Sequence, residues 1–87
     1  HVKKLTAADA AIRFDAVDEL LRAKDPAVLP FLLPATRDAD SYVRRLCVDG
    51  LRDWKRPEVV EALLLALADT DENVRDTAWV SLKEVSG

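Results

Sequence analysis

Apolar residues along this chain recur at helical spacing, and the pattern changes phase at regular intervals. Val43, Leu46, Cys47, Gly50, Leu51 and Trp54 stand at i, i+3, i+4, i+7, i+8 and i+11, a single stripe along a helix. Asp40 or Ser41, just in front, can accept an orphan backbone N–H and cap that helix; Asp71 can do the same before Val74. A second kind of stripe, Val59, Val60, Leu63, Leu64 and Leu67, follows Pro57, whose missing N–H costs nothing in a first helical turn. Its upstream counterpart, "PAVLPFLLPATR" at 26–37, carries Pro30 and Pro34, which predict a shortened or kinked helix. Thr6-Ala-Ala-Asp9 resembles a capping box with Asp in the Glu position and predicts a first helix from Ala7. Strand-like alternation, Gly/Ser linkers and low-complexity tracts are absent. The pattern predicts an all-α chain of five helices, long and short in turn, whose first long helix lacks a short partner. The predicted core is Leu20, Leu32, Leu33, Val43, Cys47, Leu51, Leu63, Leu64, Leu67, Val74, Ala78 and Leu82.

The phase changes reflect an internal repeat. Laying residues 12–42 over 43–73, an offset of 31, gives twelve identities without a gap. They include Arg13/Arg44, Val17/Val48, Leu20/Leu51, Pro26/Pro57, Leu32/Leu63, Asp38/Asp69 and Asp40/Asp71. A third, partial copy begins at Val74, keeps Arg75 and Leu82, and sets Ala78 opposite Cys47. Identities in phase with the hydrophobic stripe mark stacked helix hairpins that bury their apolar faces against one another. The chain reads as a single domain over 1–87, with a partial repeat at about 1–24 and further repeats at about 25–55 and 56–87.

This pattern, Asp-x-Asp-x-x-Val-Arg-x-x-Ala-x-x-x-Leu, appears as "DADSYVRRLCVDGL" and "DTDENVRDTAWVSL" and resembles the HEAT repeat family, in particular the short repeats of phycobilisome lyases. Cys47 departs from it in the Ala slot, and Pro34 departs from it inside a short helix. The resemblance implies an α-solenoid of stacked antiparallel helix pairs, about two and a half repeats in all. It implies that the Val is a core knob and that Arg44 and Arg75 pair with Asp38, Asp40, Asp69 or Asp71. It also implies that the longer helix of each pair, the B helix, lines a concave face where protein partners dock; the shorter one is the A helix.

Helical angles then single out the residues opposite the core stripe. On the middle B helix these are Arg45, Asp49 and Arg52. The same row holds Phe14, Asp18 and Leu21 in the first copy, and Asp76, Val80 and Lys83 in the third. Trp79 flanks the row at the place held by Val17 and Val48. The candidate partner-binding set is therefore Phe14, Arg45, Asp49, Arg52, Asp76, Trp79, Val80 and Lys83, with the aromatics as apolar anchors and the arginines steering. Ile12, Phe14, Val80 and Val85 are expected to be partly exposed at the ends of the stack, where weak self-association can follow.

Composition narrows the remaining possibilities. The net charge of −3 gives no general attraction to nucleic acid or anionic lipid. Charge is uneven: residues 25–56 carry six Lys/Arg against five Asp/Glu, and residues 57–87 carry two against seven. Interleaved Asp residues break any basic stripe of the kind that tracks phosphates. Membrane association is not expected, because no apolar run approaches a spanning length. A lone cysteine cannot form an internal disulfide, which fits a reducing, cytoplasmic location. With no Met and an opening His1, the chain reads as a fragment of a longer polypeptide and His1 as a processing remnant.

Catalytic pairs are hard to assemble. His1 is the sole histidine, the glycines are only Gly50 and Gly87, and Cys47 lies on the apolar stripe. No catalytic, cofactor-binding or metal-binding residue is assigned, and no cofactor is expected. The chain is read as a non-catalytic protein-interaction module for a partner of unknown identity. The alternatives are an accessory piece of a lyase-like or chromophore-handling enzyme, and, more remotely, nucleic-acid binding.

Overall fold

A computed structural model describes residues 2–86, with side chains from 4 to 85; the reading of His1 lies outside the described residues. Five α-helices, α1 (Ala10–Ala23), α2 (Leu29–Leu32), α3 (Ser41–Gly50), α4 (Pro57–Ala66) and α5 (Glu72–Ser86), follow one another in the chain. Turns of 3-10 helix at Val2–Thr6, Pro26–Val28, Leu33–Arg37 and Leu51–Asp53 extend or join them. The three B helices form one layer, with α3 packed between α1 and α5. The A layer holds α4, which packs on α5, and the Leu33–Arg37 turn, which packs on both α3 and α4. A Cα envelope of 33 × 28 × 15 Å fits two layers of helices. This is a small all-α solenoid.

Caps recur with the repeat. Asp9 accepts the Ala11 N–H at 2.8 Å, and Asp40 accepts that of Val43 at 3.1 Å. Asp71 accepts those of Asn73 and Val74 at 2.8 and 3.2 Å. Each carboxylate thereby satisfies a donor that the first turn leaves without an intrahelical partner. The first helix accordingly starts at Ala10, not Ala7, because Asp9 occupies the capping register while Thr6 closes a 3-10 turn. That turn packs on α1, so the first B helix is covered by a stub of a partner rather than by none.

Proline decides how the two A helices differ. In α4 the only proline is Pro57 at the first helical position, and the helix runs ten residues. In 26–37, Pro30 and Pro34 each lack an N–H and crowd the carbonyl four residues back. Only the four residues Leu29–Leu32 are α-helical there, between two 3-10 segments.

The core lies between the layers. Leu32, Val43, Cys47, Leu51, Leu63, Val74, Ala78 and Leu82 are buried as expected, and Ala16, Val17, Leu29, Val48, Val59 and Val85 join them. Three expectations are corrected. Leu64 is 55% exposed, although its repeat counterpart Leu33 lies in the segment that packs against α4; no A helix follows α4 among the described residues. Leu20, Leu33 and Leu67 are half-buried at the margin of the core rather than within it. Phe14, expected to be partly exposed, is half-buried and leans on the core. Val85, expected near an open end, is only 8% exposed. A Cβ on Gly50 would stand 2.5 Å from Leu21 Cδ1, so the Leu21 side chain of α1 fills the space beside this position on the stripe.

Leu51 is fully buried at the centre of the stack. Leu51→Ala is expected to lower the unfolding free energy by about 2–5 kcal/mol, since it removes apolar contact and leaves a cavity. Chemical denaturation followed by helicity measures this; a loss below about 1 kcal/mol would show that the side chain is not central to the packing.

Candidate protein-interaction face

Three arginines one repeat apart set the geometry from which this face is built. Arg13 Nη1 donates to the carbonyls of Ala7 and Ala8 at 2.7 and 3.0 Å, and Arg44 Nη1 donates to those of Asp38 and Ala39 at 2.8 and 3.2 Å. Arg75 Nη1 donates to the Asp69 carbonyl at 2.7 Å. Each guanidinium thus closes the turn in front of its own helix. The first two also reach the next repeat: Arg13 Nε meets Asp38 Oδ2 at 3.0 Å, and Arg44 Nε meets Asp69 Oδ2 at 2.8 Å. Second bonds at 3.1 and 3.0 Å, from Nη2 to Oδ1, make both pairs bidentate. Asp38 and Asp69 in turn accept the N–H groups of Asp40 and Asp71, both at 2.9 Å. Arg44 pairs with the Asp69 carboxylate as expected, whereas Arg75 reaches the Asp69 turn only through its backbone carbonyl. Arg13, which the sequence showed only as an identity, forms the other inter-repeat pair, with Asp38.

These rungs are largely withdrawn from water, with Arg44 and Asp69 side chains 14% and 10% exposed. Burial pulls the Asp69 carboxyl upward, but the Asp71 N–H and the Arg44 guanidinium outweigh it and hold the group below the usual Asp value.

Above the ladder, the exposed sides of α1, α3 and α5 border a groove of about 330 Å3 lined by Phe14, Tyr42, Arg45, Leu46, Asp49 and Thr77. Of the eight candidate residues, Phe14, Arg45 and Asp49 meet in this lining; the other five stand outside it. Arg52 lies 3.8 Å from Asp49 and so tethers one wall. Asp76 is exposed, and Val80 is 48% exposed. Trp79 is 55% exposed, with Lys83 Nζ 5.3 Å from the centre of its ring, a cation–π contact. Tyr42 was not anticipated: it is 69% exposed and also lines a second groove with Ala10, Ala11, Phe14, Asp15 and Asp40. Its place beside the core Val43 turns it about a quarter-turn off the stripe, so selecting only residues opposite the stripe passes it over.

A larger apolar groove, about 470 Å3, opens on the A layer between the Val2–Thr6 stub and the proline-broken segment, lined in part by Leu5, Pro30, Phe31 and Pro34. Cys47, by contrast, is fully buried and donates its thiol to the Leu32 carbonyl at 3.0 Å. Burial pushes that thiol well above its ordinary range. Among the described residues no helix is long and apolar enough to cross a membrane.

A family model described as HEAT repeats matches residues 29–87. Nothing among curated proteins matches the chain.

Two outcomes follow from the ladder. Arg44→Ala is expected to cost about 2–3 kcal/mol, because it strands a poorly solvated carboxylate, and to keep most of that cost in high salt. For pH, the native Asp69 value lies below the unfolded one. Its contribution is therefore complete above about pH 4 and is lost as pH falls through the native value. Asp69→Asn should flatten this acid limb in urea titrations across pH; an unchanged limb would place the acid sensitivity elsewhere.

Proposed function

The chain belongs to the HEAT repeat family, and from that premise we propose that it is a non-catalytic protein-interaction scaffold working through the exposed face of its B helices. HEAT repeats are commonly protein-interaction scaffolds and are generally not catalysts. The observation that carries the reading is the groove across α1, α3 and α5, where a 69% exposed Tyr42 and a half-buried Phe14 stand beside Arg45 and Asp49. An aromatic pair on rigid helices offers apolar area at little entropic cost, and the flanking charges set orientation and encounter rate. The partner contributes an apolar side chain to this groove and polar groups that register on Arg45 and Asp49. Arg52, Asp76, Val80 and Lys83 form the flanks of the same face. The resemblance to the short repeats of phycobilisome lyases concerns repeat subtype alone and supplies no reaction.

The test needs a partner captured on the immobilised protein and then purified. In titration calorimetry Tyr42→Ala should weaken its binding about tenfold or more, as loss of an aromatic anchor does. Arg45→Glu should mainly slow association, more so at low salt. Glu61→Ala, on exposed α4 surface, should leave both unchanged. If Glu61→Ala abolishes binding while Tyr42→Ala and Arg45→Glu do not, the partner uses the A layer and the proposal fails.

A further inference from the structure

Next to the groove that holds Arg45 and Asp49 lies a second one, of about 370 Å3, lined by Ala10, Ala11, Phe14, Asp15, Asp40 and Tyr42. Its lining joins two aromatic rings, two alanines and two carboxylates, and contains no basic residue. The rings come from neighbouring helices, Phe14 from α1 and Tyr42 from α3.

Nothing around this groove cancels its charge. Asp15 is exposed and joins no salt bridge among the described residues. Asp40 gives its Oδ2 to the Val43 N–H and likewise has no cation within salt-bridge distance among them. Arg13 feels the field of Asp40, but its donors are already engaged. Nε and Nη2 donate to Asp38, and Nη1 donates to the carbonyls of Ala7 and Ala8. Arg45 lines two further grooves bordered by Tyr42, which reach α5 at Thr77 and Asn73, and does not line this one.

Three kinds of side chain can be weighed as occupants. An anion is repelled by Asp15 and Asp40. A neutral apolar group covers the rings but strips water from two carboxylates and returns nothing to them. A long cation meets both demands. Its methylene stem lies along the rings and alanines, while its charged head is drawn by the ring faces and the carboxylates. We infer that this groove receives a lysine or arginine side chain of a protein partner, with Phe14 and Tyr42 as walls and Asp15 and Asp40 as counter-charges. The inference rests on the B-helix face being the interaction surface, and adds to it a sign and a direction. The partner segment crosses Tyr42 with its basic residue on the α1 side and its complement to Arg45 on the α5 side.

The test uses four blocked tetrapeptides, Gly-Leu-X-Gly, in which X is lysine, arginine, norleucine or glutamate. Each is titrated to tens of millimolar into the isotopically labelled 87-residue chain, and the amide resonances are followed by NMR. Ala10, Ala11 and Asp15 are the readout, because they line no part of the grooves that hold Arg45. The lysine and arginine peptides should shift these resonances and bind about tenfold tighter than the norleucine peptide. That advantage should shrink as salt is raised, and the glutamate peptide should leave the three resonances in place. Asp15→Asn with Asp40→Asn should bring the lysine peptide down to the norleucine level. Helicity should not change, since Asn caps a helix about as well as Asp. The inference is overturned if norleucine matches lysine, if the double variant binds lysine as before, or if neither cationic peptide moves Ala10, Ala11 or Asp15. Any of these leaves the interaction face standing, provided that the captured partner still loses affinity with Tyr42→Ala. A partner indifferent to Tyr42→Ala sinks the face itself, whatever the peptides do.

Discussion

Neighbouring repeats are held in register by a guanidinium with two fixed attachments. Its Nη1 grips carbonyls at the mouth of its own helix, and the opposite edge grips a carboxylate in the next repeat. The first attachment orients the planar fork before the second is made, so little freedom is lost when the pair forms. Apolar burial supplies the larger share of stability, at roughly 25 cal/mol per Å2, but it is non-directional and tolerates sliding. A bidentate pair at 2.8–3.0 Å does not. The core holds the layers together and the ladder decides where each helix sits along its neighbour. Asp38 and Asp69 also receive the N–H two residues on, which ties the turn, the cap and the inter-repeat contact into one unit.

With registry assigned to the turns and cohesion to the space between layers, the outward side of the B helices is largely released from both duties, although Phe14 still leans on the core. The row Phe14, Arg45, Asp76 shows the result: an apolar, a cationic and an anionic residue occupy equivalent places in successive copies. The scaffold repeats while the face does not. A surface that varies over a frame that stays constant is the arrangement in which binding residues are free to differ between repeats without cost to folding.

Much of this was legible in the chain. The helical period located the buried residues of α3, the Asp residues marked its start, and the prolines foretold the broken segment at 26–37. What escaped has physical causes. A hydrophobic stripe reports which side of a helix faces inward but not whether another helix lies beyond it. Leu64 therefore read as core, yet is 55% exposed. Thr6 read as the cap with Asp9 as its capping-box partner, yet Asp9 is itself the cap, in the repeat register of Asp40 and Asp71. In the candidate face, Phe14, Arg45 and Asp49 came from helical angles. Tyr42 lies about a quarter-turn off the stripe, outside the side chosen opposite it, and is nonetheless 69% exposed.

Cys47 sits on the middle helix with its thiol turned inward onto the Leu32 carbonyl. The sulfur is kept neutral by its surroundings and has no path to a reagent while the hairpins stay stacked. Alkylation there must wait for the two layers to part, so the labelling rate measures how often the middle of the molecule opens rather than how reactive the sulfur is. The chain thus carries a native clock for its own breathing, placed where fraying at either end leaves it undisturbed.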